Sequence, residues 1–218
     1  MKVLFIHRSV GHNLIIQGKL RELLRAQDVA LDDYDNNTGV FTNADHTIFE
    51  RAIAIPGNNT NPDNLAQYFT GWDDLLDRYD SIIIKSCYPN SHIKNEAQLV
   101  AMQRAYSAII DSFTLRQKQL IVLTSPPLRP LLTNRREAEF TGKLSEWLLG
   151  SVSVYVSVLD FHALLAEPSG RHKGMLRKEY RRLLPFDNHP NAKANIEVAP
   201  LVANFIRDKS SITNYSVV

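Results

Sequence analysis

Three side chains could do nucleophilic chemistry together: Ser9 near the start of the chain, and Asp187 and His189 near its end. A serine hydroxyl attacks poorly until an imidazole removes its proton, and the imidazole needs a carboxylate to fix its tautomer. A serine, a histidine and an aspartate on converging loops would therefore support acyl transfer. Asp160 is the fallback partner for His189, although its position before Phe161 also suits a helix cap. Cys87 is a rival nucleophile, since thiolates outperform hydroxyls, but a lone cysteine after an apolar run more often packs as a small hydrophobe. The developing oxyanion would need donors. The Ser9 amide is one, and Asn13, four residues on, returns to the same helix face.

The elements needed to position these groups can be read from hydrophobic periodicity. Val3-Leu4-Phe5-Ile6 has strand length, and Gly11 to Gln27 carries Leu14, Ile16, Leu20, Leu23 and Leu24 at helical spacing. Ser9 thus falls on a strand-to-helix turn, where opening amides favour negative charge; the competing role is that Ser9 only caps the helix. Val29 to Tyr34 suggests a second strand, and Asp35-Asn36-Asn37-Thr38-Gly39 opens an irregular region to Asn61. Asn61-Pro62 starts a helix through Leu65 and Phe69, and Trp72, Leu75, Leu76 and Tyr79 mark another. Ser81 to Lys85, Gln119 to Thr124 and Val152 to Asp160 are the remaining strands. Helices are expected over Asn95 to Asp111 and around Phe140, Leu144, Trp147 and Leu148. A last helix from about Asn191 contains Pro200, which should kink or restart it. Glu167 to Pro185, with its Pro168-Ser169-Gly170 turn, is either a lid or a surface loop.

This alternation predicts a three-layer α/β/α sandwich around a five-stranded, mostly parallel sheet of flavodoxin-like order 2-1-3-4-5, within one domain covering residues 1–218. The carboxyl ends of parallel strands share one rim, which would gather Ser9, the loops after Lys85 and Thr124, Asp160 and the Asp187–His189 segment.

Composition narrows the class. With 218 residues and 44% hydrophobic content the chain can bury one substantial core, and a net charge of +2 gives no reason to expect a nucleic-acid or membrane partner. The basic stretch Arg177 to Arg182 reads as a solvated face rather than a phosphate site. One cysteine excludes an intrachain disulfide, and the short apolar start closed by His7-Arg8 does not read as a signal peptide, so a soluble cytoplasmic protein is expected. The seven histidines lack metal-ligand spacing, although His7, His12 and His189 could meet near Ser9; neither metal nor cofactor is expected. Nucleotide binding is disfavoured by the absence of glycine-rich phosphate loops.

Phe5-Ile6-His7-Arg8-Ser9-Val10-Gly11-His12-Asn13, Lys85-Ser86-Cys87-Tyr88-Pro89-Asn90-Ser91 and Asp187-Asn188-His189-Pro190-Asn191 together resemble the SGNH (GDSL-type) hydrolases, in an order spanning nearly the whole chain. The resemblance implies that Ser9 is the nucleophile, His189 the base and Asp187 its orienter. It also implies oxyanion donors from the Ser9 amide, from Gly57 in Pro56-Gly57-Asn58-Asn59 and from Asn90. The pattern departs from the family in three places. His7-Arg8-Ser9 replaces Gly-Asp-Ser, no Gly-x-Asn-Asp follows the third strand, and Asp187 precedes His189 by two residues rather than three. The expected activity is hydrolysis of small acyl esters, including acetyl groups on carbohydrate. The alternative is a noncatalytic or weakly active domain that binds a carbohydrate or anionic ligand at the same rim.

Overall fold

In the computed structural model, residues 1–35, 38, 40–43, 48–49, 73–88 and 92–210 are described. The centre is strand β1 (Lys2–His7), whose residues Val3 to His7 are all buried. It pairs in parallel with β2 (Ala30–Asp35) on one side and β5 (Ser81–Lys85) on the other. Beyond β5 lie β6 (Gln119–Leu123) and β7 (Val156–Leu159), both parallel. These five strands follow the expected order. The difference is at the other edge, where β3 (Val40–Thr42) and β4 (Ile48–Phe49) add antiparallel strands and bring the sheet to seven, ordered β4-β3-β2-β1-β5-β6-β7. Both lie in the stretch expected to be irregular. Their lengths explain this, because three and two residues are too few to display period-two alternation.

Side chains alternate across the sheet and build a core on each face. Val3, Phe5, Leu31, Ile83, Ile121 and Leu123 point to one side. There they meet α1 (Ser9–Ile16), α2 (Leu20–Arg25), α6 (Phe161–Leu165) and α7 (Ala192–Ser210). Leu4, Ile6, Ile82, Ile84, Leu120 and Val122 point to the other. They meet α3 (Asp73–Leu76), α4 (Glu96–Leu115) and α5 (Arg135–Leu149). The two long helices on that face begin at asparagine caps: Asn95 accepts from Gln98 N at 3.0 Å, and Asn134 forms a reciprocal capping box with Glu137.

Two helical expectations need correction, and a third is not tested. The segment Gly11–Gln27 is two helices, not one, broken where Lys19 takes a left-handed backbone (φ 54°). The break lets the chain turn beneath α7. The last helix does not restart at Pro200 but continues through it; Pro200 is exposed, so the Ile196 carbonyl that loses its amide donor lies on the solvent side. The helix expected from Asn61 falls outside the described residues. No helix among the described residues is long and apolar enough to cross a membrane.

Lys85 ends β5 on the core face that holds Phe161, and it is buried. Its ammonium donates to Ser86 O at 2.9 Å and lies over the Phe161 ring at 5.5 Å, and burial lowers its pKa to about 8. The unfolded chain therefore binds more protons than the folded one between about 8 and the ordinary lysine value of 10.5, so stability should rise with pH across that window. Lys85→Met should remove this rise and raise the unfolding free energy at pH 7 by about 1–3 kcal/mol, measured by urea denaturation at several pH values.

Candidate active site

Ser9 is the first residue of α1, immediately past the buried end of β1. Arg8, not Ser9, is the residue preceding the helix, with extended backbone (φ −129°) and no side-chain cap, so the capping role considered for Ser9 is not the one it has. The first helical bond runs from His12 N to Arg8 O at 2.9 Å. The amides of Ser9, Val10 and Gly11 therefore open the helix without intrahelical acceptors, as donors for an anion.

Behind the nucleophile position is a buried polar cluster. His7 is fully buried; its Nε2 lies 3.0 Å from Asp33 Oδ2, and its Nδ1 lies 3.0 Å from the Arg8 carbonyl. Arg21 bonds the other oxygen of Asp33 and the Leu31 carbonyl. This network ties β1, β2 and α2 to the residue before Ser9. His12 is exposed and lies 3.7 Å from Asp35. The three histidines that could have met near Ser9 therefore do not, because His7 and His12 each face a carboxylate of β2.

His189 approaches from the loop before α7. Its Nε2 lies 2.8 Å from Ser9 Oγ, and its Nδ1 lies 2.6 Å from Asp187 Oδ1. Since a carboxylate only accepts, Nδ1 carries the proton and Nε2 presents its lone pair to the hydroxyl. The two-residue spacing works because the chain folds back. Asp187 Oδ1 also accepts from the His189 amide at 2.9 Å, an Asx turn that returns the carboxylate beneath the ring. Burial alone would push the Asp187 carboxyl up, but hydrogen bonds from the His189 amide and ring, with the charges of His189 and Arg182, hold it below the usual carboxylate range.

Several groups that sequence reasoning did not single out fix this loop. Arg129 donates its backbone N–H to Asn188 Oδ1 at 3.1 Å and its guanidinium to the carbonyls of Leu184 and Asp187. Tyr88 donates to Asn188 O and stands edge-on to the His189 ring, centroids 5.5 Å apart. Arg182 reaches Asp187 Oδ2 at 3.2 Å. Asn191 accepts from Ala194 N and donates to the carbonyls of Glu179 and Arg181, which joins the start of α7 to the preceding segment. In the stretch Arg177 to Arg182, Lys178 and Glu179 are exposed as a solvated face requires, but the three arginines are half-buried and engaged. Arg177 bonds Ala166 O, Arg181 bonds Leu176 O and Arg182 holds the loop, because guanidinium forks satisfy carbonyls left by irregular backbone. Such contacts leave no periodic signal.

The remaining candidates separate clearly. Asp160 accepts from Ala163 N at 3.0 Å and from Thr124 Oγ1 at 3.1 Å, so it caps α6 and is engaged away from His189. Cys87 is buried in the core, yet its Sγ is 3.7 Å from Ser9 Oγ. The imidazole nonetheless addresses Ser9. Asn13 is half-buried one turn along α1. Gly57 and Asn90 lie outside the described residues. The 167–185 segment bridges back on itself at Ala166 and Leu176, and its Met175 and Leu176 are buried.

Two glycines permit the close approaches that aim these groups. A Cβ on Gly11 would sit 2.3 Å from His7 Cβ, and one on Gly18 would sit 2.7 Å from both Ala199 Cβ and Asn195 O of α7. Gly18 is where the two ends of the chain meet; there Asn195 also donates to Gln17 Oε1 at 2.7 Å. Gly18→Val should lower the unfolding free energy by about 1–3 kcal/mol, measured by urea denaturation, because the neighbours are backbone and a packed methyl group that cannot yield.

No protein-family model and no curated protein matches the sequence. Solved structures do match its fold. A protein assigned to the G-D-S-L lipolytic family from Desulfitobacterium hafniense DCB-2 is 13% identical, with 94% of this chain and 98% of that one covered at a TM-score of 0.58. The lipase/acylhydrolase from Enterococcus faecalis is also 13% identical, with 95% and 96% covered and a TM-score of 0.58. The acetyl xylan esterase AlAXEase is 15% identical, with 94% and 99% covered and a TM-score of 0.56.

Proposed function

We propose that this chain, which has the fold of the SGNH (GDSL-type) hydrolases, is a serine esterase that cleaves small acyl esters. Acetyl groups on carbohydrate are among its substrates. One contact carries the reading: the 2.8 Å approach of His189 Nε2 to Ser9 Oγ, with Nδ1 of the same ring on Asp187. A histidine that served only to start α7 would have no reason to present a bare lone pair to a half-exposed hydroxyl.

In this mechanism the Ser9 proton moves to His189 Nε2 as Oγ attacks the acyl carbon. Asp187, kept ionised, steadies the imidazolium and does not itself take the proton. The carbonyl oxygen becomes an oxyanion facing the opening amides of α1, the Ser9 amide first among them, with Gly57 and Asn90 as the further donors that the family resemblance suggests. His189 then protonates the departing alcohol oxygen. Water, deprotonated by the same imidazole, attacks the acyl-enzyme and releases the acid. The sequence of steps uses no metal or cofactor.

The acyl preference rests on analogy of fold, which the acetyl xylan esterase above illustrates, and the alcohol is left to experiment. Ser9→Ala should lower hydrolysis of a short-chain chromogenic ester by at least roughly 10³-fold and remove fluorophosphonate labelling. His189→Ala should do the same with folding intact. Asp187→Asn should be costly, and Asp160→Asn should leave turnover nearly unchanged apart from a loss of stability. Wild-type turnover should fall on the acid side as the imidazole takes a proton, since only its neutral form can act as base. Labelling that maps to Cys87, or persists in Ser9→Ala, would overturn the assignment. Carbohydrate binding without turnover would favour a noncatalytic binding domain.

A further inference from the structure

The two oxygens of Asp187 have different tasks. Oδ1 serves His189 twice, through the ring at 2.6 Å and the amide at 2.9 Å, while Oδ2 faces Arg182 Nη1 at 3.2 Å. Arg182 is itself fixed, since its Nε donates to Pro190 O at 3.3 Å and the neighbouring Arg181 bridges to Pro190. One guanidinium therefore holds both ends of the loop carrying the imidazole, before Asn188 and after His189. Without that hold, an Asx turn of this length could rotate its carboxylate so that either oxygen, or neither, met the ring.

We propose that Arg182 is a positioning residue for the acid–base pair, orienting the Asp187 carboxylate so that a two-residue spacing suffices and tempering the negative charge that His189 feels. This rests on the esterase reading above for its kinetic consequences. The pairing itself is independent of that reading.

The charge argument has a definite sign. A guanidinium beside the carboxylate offsets part of its field, so removing it leaves the imidazolium better stabilised. The other groups facing the pair do not cancel this. Tyr88, pushed well above its ordinary range by burial and then by Cys87 and Asp187, stays neutral. Arg129 contacts the Asp187 carbonyl rather than its carboxylate and is retained in the variants. Ser9 is uncharged at rest. Arg182 is about one-third exposed, so solvent and salt moderate the effect.

The test compares wild type with Arg182→Gln and Arg182→Lys. In Arg182→Gln the acid limb of kcat/KM should move to higher pH by roughly half a unit, and kcat should fall by about five-fold with KM unchanged. Arg182→Lys should return the limb toward the wild-type position and recover kcat only in part, because an ammonium cannot hold Asp187 and Pro190 O together. In an Asp187→Asn background, where no carboxylate remains to be oriented, Arg182→Gln should lower kcat no further. A limb that stays in place in Arg182→Gln, with or without a fall in kcat, would overturn the proposal and leave Arg182 a structural residue. Should Ser9→Ala show the esterase reading to be wrong, the NMR titration of the His189 ring still decides: its midpoint should rise in Arg182→Gln, and an unmoved midpoint would defeat the inference separately.

Discussion

A hydrogen bond between side chains 180 residues apart, donated by the Ser9 hydroxyl to His189 Nε2, is the contact on which the proposed chemistry depends. Nothing local can hold it. Ordering two loops costs conformational entropy, and one hydrogen bond returns only about 1 kcal/mol, so the surrounding architecture must bring the partners together before they meet. On the serine side this is done by β1, buried on both faces and paired on both edges. On the histidine side it is done by α7, which lies against α1 and α2 over the glycine at position 18. The site is therefore a product of the same face of the core that contains Phe5, Leu14, Val198 and Val202.

The polar arrangement around the site shows how irregular backbone is kept in place. His7, Asp33 and Arg21 fill the space behind the nucleophile turn, and Arg129, Tyr88, Arg182 and Asn191 satisfy the carbonyls and amides of the acid–base loop. Buried polar groups are costly when unpaired and directional when paired, which suits them to fixing one loop geometry among many. The Ser9 hydroxyl and the His189 ring remain partly exposed at the centre of this framework. An accessible hydroxyl–imidazole pair thus sits within a hydrogen-bonded surround, as the proposed reaction requires.

Much of this was legible in advance, and the reasons are physical. Parallel strands buried on both faces announce themselves as continuous apolar runs, so β1, β5 and β6 and their order could be read. Helices α4 and α5 carried caps and a 3.6-residue period. Ser9, Asp187 and His189 were visible because their chemistry is narrow and they sit where elements change. The short edge strands β3 and β4 were not, having too few residues for a period. Nor was the break at Gly18 and Lys19, where a helical pattern continues in sequence although the backbone turns to admit α7. Pro200 misled in the opposite direction as to a restart, since the carbonyl it leaves without a donor is on the solvent side.

The sequence by itself determined the alternation of elements, the parallel core of the sheet and the candidate pair Ser9 and His189, because periodicity and side-chain reactivity are properties of local residue types. Tertiary structure alone decided that Asp187 rather than Asp160 turns to the imidazole and that Arg182 and Arg129 are anchors rather than solvated charges. It also decided that His7 is turned away into a buried carboxylate pair. Each of these is a choice between acceptors of similar chemistry, and only distance and direction in the folded chain distinguish one acceptor from another.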